Sequence, residues 1–351
     1  IRKAGLQALH HQCILSVHAE DNQRSLIKSK LKNGMSGIDV LIYAMEELQQ
    51  DFVAMEWACE LCWRMTSVED LLKHMKEFSF HEVIASICRH YMTTSIANTI
   101  IEACIGTIAN LAYLEGKRNE FINIGAIELV LDALSYHEKN FGISYEATLA
   151  LGNFSLSPLA RDSVLNSRAL QMLVHELQLF INNAEHVSVT LSTLACIAVR
   201  YHEAKQIIGT REIIPIVFQS IQDHDSSSVL EIWSTLISTL AVGSDTICEI
   251  MLEYGALDIL MRAMERFPEE SFQDAACFAI RNISCQMKES DPLLRGGGTS
   301  KCIVSAMEAH RQSVSIQTSA CCIFWNFRLF SLMAKHSWSF RSSPFKASRR
   351  I

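Results

Sequence analysis

Six times between Cys104 and Arg328, a nine-residue run of small and apolar residues closes on the same slot: CIGTIANLA, ATLALGNFS, TLSTLACIA, WSTLISTLA, ACFAIRNIS and ACCIFWNFR. The slot residues are Asn110, Asn153, Cys196, Thr239, Asn282 and Asn326, spaced 43, 43, 43, 43 and 44 apart. Self-similarity at such a period marks a repeat architecture, in which no unit buries its apolar face alone. One residue after the slot come Leu111, Phe154, Ile197, Leu240, Ile283 and Phe327, and two before it Ile108, Leu151, Leu194, Ile237, Ile280 and Phe324. Six before it sit Cys104, Ala147, Thr190, Trp233, Ala276 and Ala320, mostly small. Positions −6, −2 and +1 recur at three- to four-residue spacing, so they form one stripe of a helix.

A second element precedes each of these helices. Gly125-Ala-Ile-Glu-Leu-Val-Leu, Arg168-Ala-Leu-Gln-Met-Leu-Val, Glu212-Ile-Ile-Pro-Ile-Val-Phe and Gly255-Ala-Leu-Asp-Ile-Leu-Met stand in register, and Gly298-Thr-Ser-Lys-Cys-Ile-Val continues the series weakly. A short apolar helix comes before each, such as 119–124 or 248–254. The glycine permits a sharp turn between helices, and Pro215 suits a first helical turn. Each unit therefore reads as a short helix, a middle helix and a long third helix.

In these residues the chain resembles the armadillo repeat family. Gly125 to Leu134 with Ala147 to Phe154, and Gly255 to Met264 with Ala276 to Ile283, are similar to its glycine turn followed by a helix closing on Ala-Leu-x-Asn-Leu. The resemblance covers about seven repeats over residues 26–328, the first two degenerate; residues 1–25 read as part of an incomplete repeat with an N-terminal helix. It implies an all-α fold, a right-handed α-solenoid superhelix of helix triplets whose third helices line a concave groove. A HEAT-like solenoid of helix pairs is the alternative. It also implies a non-catalytic scaffold or adaptor that binds an extended segment of a protein partner.

An amide carries both donor and acceptor, so one asparagine per repeat could hold a peptide backbone. Helices packed about 8–10 Å apart would place such contacts about every third residue of an extended chain, at about 3.3 Å per residue. An asparagine near a helix end equally often satisfies a neighbouring loop. Positions −4 and −7 share the slot's face: Gly106, Leu149, Phe278 and Cys322, then Ala103, Glu146, Ala275 and Ser319. The expected groove residues are Asn110, Asn153, Asn282, Asn326, Glu146, Leu149, Phe278, Arg281 and Arg64. Arg64 is read as the slot of the first full repeat, while Cys196 and Thr239 interrupt the ladder. Glu146 suggests basic residues in the partner. The alternative is an adaptor resembling importin-α, which recognises basic localisation peptides. That pattern asks for a Trp four residues before each Asn, where this chain has Gly106, Leu149, Phe278 and Cys322.

Composition narrows the function classes. Nearly half the residues are apolar and a fifth charged, enough for a full core and unlike a disordered chain. The formal charge of −7 hides a basic end: from Arg328 onward there are six Lys or Arg and no acid, which leaves −13 on residues 1–327. An acidic body disfavours nucleic acid as partner. Residues 329–351 form a basic tail rich in Ser and aromatics. It reads first as an out-of-frame or truncated end, and second as a localisation signal or membrane contact. Twelve scattered cysteines in a chain that needs no disulfides suggest reduced thiols and a cytoplasmic or nuclear location.

No cofactor, metal or small-molecule substrate is expected. There is no His-Glu-x-x-His, and Gly296-Gly-Gly-Thr-Ser-Lys lacks phosphate-loop order. Cys59-Glu-Leu-Cys62 has no second pair and sits among alternating core residues, so core packing is the simpler reading.

Overall fold

A computed structural model describes residues 2–15, 19–28, 35–75, 78–166, 168–285 and 298–327. The basic tail and Gly296 lie outside them. The described residues are helical, with no strand among them, and the helices form two compact units, residues 1–240 and 241–351.

In the first unit, α1 (Arg2–His10) runs into a π-helical turn (His11–Leu15), then come α2 (Ala19–Lys28), α3 (Gly37–Glu47) and α4 (Phe52–Thr66). Three complete triplets follow: α5 (Glu69–Met75), α6 (Phe80–Tyr91) and α7 (Asn98–Ala112); α8 (Glu115–Asn123), α9 (Ala126–Tyr136) and α10 (Phe141–Ser155); α11 (Arg161–Asn166), α12 (Ala169–Leu179) and α13 (Ala184–Arg200). A fourth comprises α14 (His202–Ile208), α15 (Ile214–Gln219) and α16 (Ser227–Ala241). In the second unit α17 (Asp245–Glu253), α18 (Ala256–Arg266) and α19 (Glu270–Ser284) make one triplet, followed by α20 (Gly298–Ala309) and α21 (Val314–Asn326). The short–middle–long order expected from the sequence is thus present.

Local chemistry sets the boundaries. Asp51, Asn140 and Asn183 cap α4, α10 and α13, each accepting a backbone N–H three residues on, from Ala54, Ile143 and His186; such a side chain satisfies one of the orphan donors at a helix start. A capping box of Ser36 and Asp39 opens α3. Between short and middle helices, Gly125 and Gly255 stand at φ 77° and 79°. That left-handed geometry strains any residue with a Cβ, so the glycine at these two turns is dictated by the backbone.

The stripe predicted around the slot is the core. Ile108, Leu111, Leu151, Phe154, Leu194, Ile197, Ile237, Leu240, Ile280 and Ile283 are all fully buried, and the −6 residues Cys104, Ala147, Thr190, Trp233, Ala276 and Ala320 with them. In the first unit α4, α7, α10 and α13 pack in succession; in the second α19 packs on α21 and α18 on α20. Along α4, α7, α10 and α13, and from α19 to α21, each third helix covers the stripe of the one before it.

Polar ties repeat with the same period. His137, at the end of α9, holds the Met92 carbonyl at 2.8 Å and the Asn98 side chain at 2.9 Å, both one repeat back. His224 holds the Ile181 carbonyl at 2.7 Å. The Tyr201 hydroxyl donates to the carbonyls of Ser155 and Ser157 at 3.1 and 2.8 Å. These side chains satisfy loop carbonyls that burial would otherwise leave unpaired.

Candidate functional site

The slot asparagines face the end of the preceding third helix. Asn110 donates its amide to the hydroxyls of Thr66 and Ser67 at 3.2 and 3.3 Å. Asn153 donates to the Ala109 carbonyl at 2.8 Å. In the second unit Asn326 donates to the Ser284 hydroxyl at 2.9 Å and the Arg281 carbonyl at 3.4 Å. The acceptor Ala109 belongs to the last turn of α7, where helix carbonyls lack intrahelical partners, whereas the Arg281 carbonyl at the end of α19 also accepts the Cys285 N–H at 3.2 Å and the Ser284 hydroxyl at 2.8 Å. These amides therefore cap the neighbouring repeat. The expectation that donor and acceptor both serve a peptide is corrected: the donor side is engaged internally, and Oδ1 of Asn110, Asn153 and Asn326 is the side that accepts nothing among the described residues. All four slot asparagines are half-buried. Asn153→Ala should leave the Ala109 carbonyl without its cap and lower stability by about 1 kcal/mol, read from the urea midpoint; an unchanged midpoint would show that the cap contributes nothing.

The partners of Asn110 also correct the register of the first repeat. Ser67, 43 residues before Asn110, meets its amide, and Thr99 donates to Glu56, again 43 residues back, at 2.8 Å. The slot of that repeat is Ser67. Arg64 lies one turn earlier, exposed, 3.7 Å from Glu60 and 5.7 Å from the Trp63 ring centre. The residue aligned with Gly106 is Trp63, and a Cβ on Gly106 would collide with its indole. The two helices touch there because position 106 has no side chain.

On α4 and α7 this close approach frames a cavity of about 340 Å³. Trp57, Trp63 and the carboxylates of Glu56, Glu60 and Glu102 line it, with Ala103 and Thr99 on α7 and His10 of α1 at its side. His10 Nε2 lies 2.8 Å from Glu60. The Glu102 carboxylate lies against Gly142 of α10 and has no hydrogen bond or ion pair among the described residues. Burial raises its pKa. Behind it Glu146, only 9% exposed, is likewise unpartnered, and burial together with the Glu102 charge pushes its carboxyl up to about 7. Tyr145 is raised by burial and by the charges of Glu185 and Glu146. No Lys or Arg occurs on α7 or α10. Leu149 is half-buried one turn beyond Glu146.

The expected residues of the second unit form a separate set. Phe278 is 41% exposed, with the Arg281 guanidinium 5.2 Å from its ring centre. Asn282 is half-buried beside Arg281, and Trp325 is 73% exposed. The structure thus places Arg64, Asn110, Glu146, Leu149 and Asn153 on one unit, and Phe278, Arg281, Asn282 and Asn326 on the other.

Sequence reasoning missed the cavity. The available signal was Glu56, Glu60 and Trp63 at i, i+4 and i+7 on one helix, 43 residues before Thr99, Ala103 and Gly106. It also missed a buried cluster in which the Ser144 hydroxyl donates to Glu176 and meets His186 Nε2 at 2.7 Å, while Thr190 lies 3.1 Å from Nδ1. Burial lowers His186 to about 4 and raises Glu176. The hydroxyl bridges acid and imidazole, the acid does not orient the imidazole, and all three side chains are buried. That arrangement joins α10, α12 and α13 and offers no exposed nucleophile. Cys59 and Cys62 are both fully buried, the first 3.7 Å from the Cys104 sulfur and the second 3.7 Å from the Met45 sulfur, as core packing requires.

No family profile matches the sequence, and no curated protein matches it. Solved structures do. One engineered protein superposes with a TM-score of 0.71 at 18% identity, over 92% of this chain and 78% of its own. A second engineered protein does so with a TM-score of 0.62 at 18% identity, over 72% and 99%. A chain from the structure described as "A conserved phosphorylation switch controls the interaction between cadherin and beta-catenin in vitro and in vivo" matches with a TM-score of 0.71 at 13% identity, over 92% of this chain and 57% of that one. At such identities the likeness is one of fold, and the fold is an all-α helical-repeat solenoid.

Proposed function

We propose that the chain is a non-catalytic protein-interaction scaffold that holds an extended, basic segment of a protein partner against the third helices of its first unit. The observation that carries this is the pair Glu102 and Glu146. Two neighbouring carboxylates, Glu146 buried and Glu102 half-buried, with no Lys or Arg on their helices, are unfavourable in the isolated chain. A partner that brings positive charge relieves that cost. The unengaged Oδ1 atoms of Asn110 and Asn153 would accept backbone N–H groups of the same segment, and a chain of similar fold comes from a structure concerned with the interaction between cadherin and beta-catenin. The free thiols of all twelve cysteines support placing this activity in the cytosol or nucleus.

A nuclear import adaptor remains the second reading because Trp63 now stands four residues before a slot residue, Ser67. The later repeats offer no indole at that position. Tight binding of a Lys-rich localisation peptide would favour it.

The test is cross-linking mass spectrometry on the partner that co-purifies with the full chain. Cross-links should fall on α7, α10 and α13, and Glu102→Gln with Glu146→Gln should weaken binding about tenfold or more without lowering the melting temperature. Cross-links confined to other helices, or unchanged affinity in the double variant, would overturn the reading.

A further inference from the structure

We propose that Tyr113, Leu156 and Val199 form an apolar lane beside the slot asparagines that takes apolar side chains of the partner segment. The segment is then two-sided, basic towards Glu102 and Glu146 and apolar towards this lane. This deepens the scaffold reading and rests on it.

The three residues stand three places after the slots Asn110, Asn153 and Cys196, and 43 residues apart. Tyr113 and Leu156 are the C-caps of α7 and α10 and keep right-handed helical geometry, at φ −60° and −70°. Val199 lies within α13. Each therefore continues the face of its helix that carries the slot, since residues three apart are neighbours on a helix. Tyr113 is 65% exposed and Val199 64%, and Leu156 is half-buried. An exposed apolar side chain standing alone needs no explanation. Here the same position is apolar on three successive helices that pack on one another. In the first repeat the position is Asp70, so the lane starts at α7.

The charges on its two sides decide what covers it. Each of the three helices carries a carboxylate on the slot's face nearer the helix start: Glu102, Glu146 and Glu185, eight, seven and eleven residues before the slot. At the other end, Arg118 donates to the carbonyls of Ala112 and Tyr113 at 2.8 and 2.9 Å, with Glu115 near enough to act on it. The exposed Arg200 follows Val199. Basic side chains of a bound segment are thus drawn to the carboxylates, and the opposite edge is left to uncharged ones. Distance agrees. At about 1.5 Å per residue, the lane lies about 4.5 Å from the slots along the helix, and Glu102 and Glu146 about 10–12 Å on the other side. A long lysine stem suits the larger span and a compact apolar side chain the smaller. An extended backbone held between them by Oδ1 of Asn110 and Asn153 sends successive side chains to opposite sides. Basic and apolar residues therefore alternate along it.

The experiment uses the full chain and fluorescein-labelled heptapeptides, followed by fluorescence anisotropy at low ionic strength. One peptide alternates four lysines with three valines, a second has the same composition in two blocks, and a third alternates lysine with serine. The alternating Lys-Val peptide should bind about fivefold or more tightly than either of the others. Tyr113→Ser with Val199→Ser should lower it to the affinity of the Lys-Ser peptide, while leaving the Lys-Ser peptide and the melting temperature unchanged. Should the pair melt early, Tyr113→Ser alone gives the same readout. Glu102→Gln with Glu146→Gln should weaken both alternating peptides about tenfold or more. Equal affinity of the Lys-Val and Lys-Ser peptides, both sensitive to the Gln pair, would remove this proposal alone. Equal binding of the block peptide would overturn the two-sided segment. Lys-Val binding that responds to the Ser pair and not to the Gln pair would make the groove merely apolar and remove the basic-segment reading with it. A dimer in sedimentation velocity that the Ser pair dissociates would assign the lane to a second copy of the chain and overturn the proposal.

Discussion

Trp233→Ala is expected to lower the unfolding free energy by about 3–5 kcal/mol, the range for truncating a buried large aromatic. Trp233 occupies the −6 position, where the other repeats carry Cys104, Ala147, Thr190, Ala276 and Ala320. There it is fully buried, edge-on to Phe218 of the middle helix, with ring centres 5.1 Å apart at 81°. A small residue at this position lets adjacent helices close up. Here the indole fills the space, and the neighbouring side chains are shaped around it. Trp233→Phe should cost far less, because the Trp233 Nε1 donor has no hydrogen-bond partner and its removal recovers part of the lost packing. Urea unfolding of the first unit, followed by circular dichroism, measures both. A loss below about 1 kcal/mol for Trp233→Ala would mean that the helices collapse onto the gap and the indole is not a determinant of their spacing.

Glu146→Gln should stabilise the chain above pH 7 by about 3–4 kcal/mol, since each unit of pKa displacement corresponds to about 1.4 kcal/mol. The folded-state carboxyl titrates at about 7 against an ordinary 4.5, because of burial and then the Glu102 charge. The folded chain thus keeps a proton that the unfolded chain releases. Stability from this group is greatest below pH 4.5, falls as pH rises towards 7, and is flat beyond. His186 acts in the opposite sense. Its folded value is about 4 against 6.5, so its contribution is complete above pH 6.5 and is lost as pH falls towards 4. The two windows overlap, and the parent chain should show a shallow dependence across them. Glu146→Gln unmasks the histidine: its urea midpoint should rise from pH 4 to 6.5 and then level off above the parent value. Parallel curves for the two proteins would show that Glu146 is solvated like a surface acid. A carboxylate that destabilises its own fold while weakening no internal contact when neutralised is the pattern of a group retained for function.

Much of the architecture could be read before any coordinates. Period and apolar spacing are properties of the chain itself: a residue on a helix faces the core or solvent according to its place in a 3.6-residue turn. So Ile108, Leu111, Leu151 and Phe154 could be assigned to a buried stripe, and Gly125 and Gly255 to sharp turns between helices, from sequence alone. The helix triplets follow from the same periodicity.

What the amide of Asn110 or Asn153 bonds to was not readable in that way. A hydrogen-bond partner depends on the offset between stacked helices to within an ångström, and only packing sets that offset. Stacking placed Asn110 against Thr66 and Ser67, and so moved the first slot from Arg64 to Ser67. It also closed His10, Trp63 and Glu102 around one cavity, although they come from three helices separated by up to 92 residues in sequence. The apolar pattern determined which faces are buried, because burial is non-directional and needs only periodicity. Which polar and charged groups meet was decided by tertiary structure, because hydrogen bonds and charge pairs act over a few ångströms and depend on direction.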